Sequence, residues 1–439
     1  MTPVDSASLE ELFQWLRIPS VSADPEHEGD VRAAAEWLCG FVRAAGGSCE
    51  LVETGGHPLA VGDFEASFDP GSAPTVLIYG HFDVQPAGDL ALWESPPFEP
   101  EPRDGWIYGR GTADDKGQLY LLLKGAASLA SEQALPVNVR VACDGEEETG
   151  GQSIVDFLAA DRRGADACVI FDAHMPALDV PAFYVGTRGL VYFHLTVRTG
   201  AKDLHSGVFG GAAMNAVHIL VALLSTLVGT PRPLRAGTIT PSEAELATWR
   251  ELEPGPAVLA LEGARPADAA AGAEFYSRTL ASAALDVNGI RGGEPELQKT
   301  VLPAEAHANV SIRLAPGQDV EAIAGEFEGM LEAALPAGAE LTVERWSSSP
   351  PGLVPAGARA LELAAGAFER TVGRRPLFLR SGGTIPIVPA LASRGIPTIL
   401  TGFDVPGGNI HSPNERLLAR YVALGVAAAR EALVALREL

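Results

Sequence analysis

Thr75-Val76-Leu77-Ile78-Tyr79-Gly80-His81-Phe82-Asp83 is an apolar run that stops at a glycine and gives way at once to polar, chemically active side chains. A short continuous apolar run predicts a strand buried on both faces. Two further stretches have the same build. Val137 to Ala142 leads into Asp144-Gly145-Glu146-Glu147-Glu148, and Ala167-Cys168-Val169-Ile170-Phe171 leads into Asp172. A fourth, Pro397-Thr398-Ile399-Leu400, is followed by the turn Gly407-Gly408-Asn409-Ile410 and then His411. Helical patterns lie between these strands, at Asp30 to Ala45, from Asp114-Asp115 to about Ser131, up to about Val372, and from Glu415 to the end. Ser8 and Glu11 form an S-x-x-E capping box that predicts a short first helix, and Gly46-Gly47 supplies a left-handed stop for the second. Buried strands alternating with helices predict an α/β fold with a mostly parallel sheet covered by helices.

The pattern changes in the middle of the chain. Leu190 to Thr199, Glu305 to Leu314 and Glu340 to Trp346 read as strands, and Gly211 to Val228 and Asp319 to Leu335 as helices. That order predicts an inserted α+β domain at 189–349, with 1–188 and 350–439 forming one α/β domain from both ends of the chain. Residues 230–296 are rich in Pro, Gly and Ala and give no clear pattern. A chain of 439 residues is long enough for two or three domains.

A net charge of −24 argues against a nucleic-acid or anionic-membrane partner, since both call for a basic surface. The apolar stretch Val217 to Val228 is shorter than a bilayer span and suits a buried helix. Cys39, Cys49, Cys143 and Cys168 show no CxxC spacing, which predicts reduced, buried thiols in a cytoplasmic protein. The N-terminus shows no basic region followed by an apolar core, so no signal peptide is expected.

The chemistry follows from what sits beyond the strands. In open α/β sheets, sites form outside the carboxyl ends of the strands. Five segments deliver His81, Asp114, Glu148, Asp172 and His411 to one such edge. Imidazole and carboxylate donors suit zinc or manganese. Two ions fit the count: one can take His81, Asp172 and a shared Asp114, the other Glu148, His411 and the same Asp114. Asp83, two residues from His81, can accept the free imidazole N–H and fix its tautomer. Glu147, adjacent to Glu148, is placed to move a proton from water to a leaving amine. The Gly-rich GRGTADDKG lacks the spacing of a phosphate loop, and no G-x-S-x-G elbow appears. His27, His57, His174, His194, His218 and His307 are read as structural or surface residues.

His81-x-Asp83, GRGxxDDKG around Asp114, the Glu147-Glu148 pair before Thr149-Gly150, Asp172 and the HSPNE around His411 together resemble the M20 metallopeptidases, in order and spacing across almost the whole chain. Arg188 to Arg198, Asp203 to Gly211 and Ser381 to Pro386 resemble that family's carnosinase-type, non-specific dipeptidase branch. The resemblance implies metal roles for His81, Asp114, Glu148, Asp172 and His411, a general base at Glu147 and a supporting Asp83. It also implies a lid domain that forms a homodimer, with His205 reaching the partner's site to stabilise the oxyanion. Arg313 would hold the substrate's terminal carboxylate, with Thr300 and Thr384 at substrate-contact positions. Asp at position 172, where deacylase and carboxypeptidase relatives tend to have Glu, favours dipeptides. The expected activity is therefore hydrolysis of dipeptides by two zinc or manganese ions. The rivals are an N-acyl amino acid deacylase or carboxypeptidase, and a non-catalytic metal- or peptide-binding protein.

Overall fold

The computed structural model of the protein describes residues 6–228, 234–261, 263–354, 357–383 and 385–439. The chain divides into two compact units. One comprises Met1–Val185, Val354–Leu379 and Pro386–Leu439, and the other Gly186–Leu353 with Arg380–Ile385.

The first unit is built on a six-stranded sheet. Its spatial order is Ser48–Val52, Leu59–Phe64, Asn138–Cys143, Thr75–Tyr79, Ala167–Phe171 and Thr398–Thr401. The last four strands are mutually parallel. The first two join them antiparallel, so the sheet is mixed at one edge. Val76, Leu77, Ile78 and Tyr79 are buried, as the continuous apolar run predicts for a strand covered on both faces. The helices Lys116–Ser131, Arg359–Val372 and Ala419–Ala435 pack together. Gly125 permits one of these approaches, since a Cβ there would meet that of Ala429 at 2.6 Å. Because four strands run parallel, Tyr79, Cys143, Phe171 and Thr401 all end on the same edge of the sheet.

The second unit is a four-stranded antiparallel sheet in the order Ala284–Gly292, Glu305–Leu314, Gly189–Arg198, Glu340–Ser349. Gly189–Arg198 alternates between buried and half-buried residues. Val191, Phe193, Leu195 and Val197 thus form a core with Leu220 and Leu223 of the Ala216–Val228 helix and Phe327 of the Val320–Ala334 helix. The rings of Phe193 and Phe327 stack 4.5 Å apart. Arg380–Ile385 falls in this unit rather than with the flanking segments as the sequence suggests. Arg380 donates to Glu245 at 2.7 Å and to the Ile239 carbonyl at 3.1 Å. The Arg188 amide donates to the Gly383 carbonyl at 3.0 Å.

Several expectations are corrected. The first described helix is Ser6–Leu16, so Ser8 lies inside it rather than capping it. Glu11 instead accepts from Tyr120 Oη at 2.7 Å and Lys124 Nζ at 2.6 Å. The final helix begins at Ala419, because Arg416–Leu418 is a strand paired with Trp106–Tyr108. The helix Ala216–Val228 is not buried all round: Val221 is 52% and Val228 61% exposed. No helix among the described residues is long and apolar enough to cross a membrane.

The cysteines also differ from expectation. Cys39, on the Glu28–Ala44 helix, is disulfide-bonded to Cys49, on the first strand, with their Cα atoms 5.0 Å apart. The turn through Gly46, whose φ is +91°, brings the strand back against the helix and makes partners of residues that spacing alone did not pair. Cys143 and Cys168 are free and buried. Thiol labelling of the purified protein, unfolded without reductant, should therefore count two reactive thiols, rising to four after reduction. Four thiols without reductant would contradict the pairing.

Candidate metal centre

The parallel strands fix where each donor emerges. His81 follows Thr75–Tyr79 by two residues, and its imidazole is fully buried. Strand-like pairing continues past the strand end, since the Phe82 amide donates to the Asp144 carbonyl at 2.9 Å. His81 Nδ1 lies 3.1 Å from the Asp83 carbonyl oxygen and 3.3 Å from its carboxylate. A proton on Nδ1 is held there, and Nε2 faces Asp114 Oδ1 at 3.0 Å and Asp172 Oδ1 at 4.0 Å. Asp114 turns its other oxygen to His411 Nε2 at 2.8 Å, and His411 Nε2 lies 3.2 Å from Glu148 Oε2.

Two donor groups result: His81, Asp114 and Asp172, then Asp114, Glu148 and His411. Within each, ligand atoms lie within 4.8 Å of one another, and Asp114 belongs to both. The donor chemistry fits a pair of divalent cations. Glu148 Oε1 is buried without a hydrogen-bond partner, as suits an oxygen meant for a cation. Its Oε2 accepts from Gln85 Nε2 at 2.8 Å, a contact with no sequence signal.

Asp83 does more than face His81. Its Oδ1 accepts from the Glu147 amide at 3.3 Å, and its Oδ2 from the Glu148 amide at 3.1 Å and from Ser22 Oγ at 2.6 Å. One buried carboxylate thereby orients both the imidazole and the short 3₁₀ turn Glu147–Thr149. Glu146, first of the acidic run, is structural: its carboxylate accepts from the His57 amide at 3.0 Å and the Ser153 amide at 2.8 Å. Asp115 is buried and accepts from the His81 amide at 3.2 Å.

Crowding sets the electrostatics. Burial, reinforced by Asp114 and Glu148 and opposed by His81, pushes the Asp172 carboxyl up to about 7. Burial also raises Glu147 well above the usual carboxylate range; His81 opposes this, and Asp172, Asp114 and Asp83 add to it. Burial disfavours a charged His81 ring, yet its hydrogen bonds to Asp114 and Asp83 hold its pKa well above the usual value. His411 is raised to about 10 by its hydrogen bonds to Asp114 and Glu148. The same surplus of negative charge that holds protons on both imidazoles would favour a bound cation.

Of the remaining sequence-predicted residues, His205, Thr300 and Arg313 lie in the second unit. His205 is exposed, and its Nδ1 accepts from the Gly207 amide at 2.9 Å. Thr300 sits beside it: the Ser206 amide donates to the Thr300 carbonyl at 2.9 Å, and His205 pairs with Val301. Arg313 is half-buried on the Glu305–Leu314 strand, opposite Leu190. Thr384 lies outside the described residues. His174 is in neither donor group; its ring lies 5.3 Å from that of Tyr184.

The sequence profile of peptidase family M20/M25/M40 matches residues 77–435. The Cys-Gly metallodipeptidase dug1 of Schizosaccharomyces pombe is 30% identical over 444 residues, covering 92% of this chain and 90% of that protein. The crystal structure of human carnosine dipeptidase 1 superposes with a TM-score of 0.80 at 25% identity, covering 99% of this chain and 96% of the other. An M20 family metallo-carboxypeptidase from Sulfolobus solfataricus superposes with a TM-score of 0.86 at 24% identity, covering 99% of this chain and 100% of the other, a likeness of fold alone. A profile spanning residues 77–435 and a relative this similar along nearly its full length place the chain in peptidase family M20/M25/M40.

Proposed function

We propose that this protein is a dinuclear metallopeptidase that hydrolyses the peptide bond of dipeptides and releases the two amino acids. The observation that carries this reading is Asp114, one carboxylate shared by two groups of imidazole and carboxylate donors. His81 and Asp172 would complete one group, and Glu148 and His411 the other, with zinc or manganese as the ion. Such a pair of bound cations lowers the pKa of water and polarises a carbonyl. Asp83 holds the His81 imidazole and the Glu147–Glu148 turn in place. Glu147, set beside Glu148 on the turn that Asp83 holds, takes the proton of the attacking water and returns it to the leaving amine.

In the second unit, His205 is assigned the oxyanion. Its Nδ1 is occupied as an acceptor, which leaves an Nε2–H to donate. Arg313 is assigned the substrate's carboxylate, which suits a guanidinium fork, with Thr300 and Thr384 at contact positions. We assign the 186–353 segment the role of a lid through which a homodimer forms. A cytoplasmic setting is our reading of the sequence; the Cys39–Cys49 pair weighs against it. The names of the two dipeptidase relatives, together with Asp172, favour dipeptides over the deacylase and carboxypeptidase alternatives. Glu147 beside a full donor set speaks against a purely binding protein.

Turnover of dipeptides, tripeptides and N-acyl amino acids, measured with zinc and with manganese, tests the assignment. Dipeptides should be hydrolysed fastest, and Glu147→Gln should retain its metal while losing about 10²–10⁴-fold in kcat. Faster cleavage of N-acyl amino acids would sink the dipeptidase reading. Loss of metal in Glu147→Gln, with metal retained in Glu148→Ala, would reverse the two glutamates' roles.

The trans role of His205 has its own consequence. His205→Ala should lower kcat by about 10²–10³-fold, the usual effect of losing one oxyanion donor, with unchanged metal content. Mixing His205→Ala and Glu147→Gln homodimers should restore activity as subunits exchange, since one site then has both groups. Exchange confirmed by mass without recovered activity would show that His205 does not act across the dimer.

A further inference from the structure

Glu415 lies four residues past His411 and is fully buried. Its carboxylate accepts four hydrogen bonds, all from the loop that carries Asp114. Oε2 accepts from Arg110 Nη1 at 2.6 Å and from the Gly111 amide at 3.1 Å. Oε1 accepts from the Ala113 amide at 2.9 Å and the Asp114 amide at 3.1 Å. The Gly109 amide also donates to the Glu415 backbone carbonyl at 3.0 Å.

This loop is neither helix nor strand, so its buried amides have no ladder to satisfy them. Glu415 supplies the acceptor. Gly111, with φ +82°, lets the backbone curl around it, and a Cβ there would strike Val84 at 2.8 Å. Arg110, 2% exposed, balances the buried charge. Arg110 and three amides converge on this one carboxylate, so the loop and the segment behind His411 are held as one piece.

The two donor groups depend on this piece unequally. His81 is anchored separately, through Asp83 and through Asp115. The His411 side chain is 52% exposed and sits at φ +60°, and its chain returns to the core at Glu415. From this geometry we propose that Glu415 is a positioning residue that sets Asp114 against His411 and so governs the affinity of the ion held by Asp114, Glu148 and His411. The inference rests on the dinuclear reading of the site and adds to it a residue that touches neither ion nor substrate.

The test is zinc titration of the metal-stripped, full-length protein against a chelator of known affinity, on wild type, Glu415→Gln and Glu415→Asp. His411→Ala identifies which binding step belongs to its ion. Outer contacts of this kind are typically worth about 10–100-fold in metal affinity. Glu415→Gln should weaken the His411 step by at least about tenfold, with the other step changed by less than about threefold. Glu415→Asp keeps the charge beside Arg110 but draws back from the amides, so it should do the same and carries the test if Glu415→Gln fails to fold. Unchanged affinity in folded variants, or equal weakening of both steps, would overturn the inference while leaving the dinuclear reading intact. A wild-type chain that binds no zinc would overturn both.

Discussion

Four carboxylates and two imidazoles are pressed together at the end of a buried parallel sheet, and the rest of the catalytic unit is arranged to keep them there. Asp114, Glu147, Glu148 and Asp172 repel one another in a largely buried place where water screens them poorly. Charges so placed are costly unless each is paired or held by hydrogen bonds. The protein meets this by fixing the outer carboxylates with backbone amides. Asp83 takes the amides of Glu147 and Glu148, Asp115 that of His81, and Glu415 those of Gly111, Ala113 and Asp114. With the backbone held from behind, the donor side chains are left to converge on one another.

Parallel pairing is what makes the convergence possible. In parallel strands the carboxyl ends share an edge, so residues far apart in sequence emerge side by side. His81, Glu148 and Asp172 each follow a different strand of the sheet. Asp114 and His411 come from loops that Glu415 ties together. Neither donor group is a local motif; each needs the whole sheet to exist.

This explains which features were legible in the sequence. Thr75–Tyr79 and Ala167–Phe171 announce themselves because a strand buried on both faces must be apolar throughout, and a donor just beyond such a run is then conspicuous. Ala284–Gly292 did not, because it is an edge strand whose Leu285/Val287 alternation is cut short by a bulge between Val287 and Gly289, after which Ile290 is exposed. Arg416–Leu418 was hidden for a different reason. Three residues pair with Trp106–Tyr108 only once the fold brings them together, and their composition suits a helix start equally well. At Ser8 and Glu11 a good local cap lost to tertiary contacts with Tyr120 and Lys124. Glu415 stood in plain view within HSPNE, yet nothing in one sequence says that its carboxylate meets amides 301 to 304 residues earlier. The candidate donors His81, Glu148 and Asp172 were readable because strand ends mark them; the contacts that orient the donor side chains were not, because they depend on loop paths.

The proposed activity rests on Asp114 joining two cation sites in one centre. Anomalous diffraction from crystals of the protein grown with zinc or manganese tests it most directly. Two peaks are expected, both contacting Asp114, one also contacting His81 and Asp172 and the other Glu148 and His411. A single fully occupied peak in a catalytically active crystal, or two peaks of which only one touches Asp114, would contradict it.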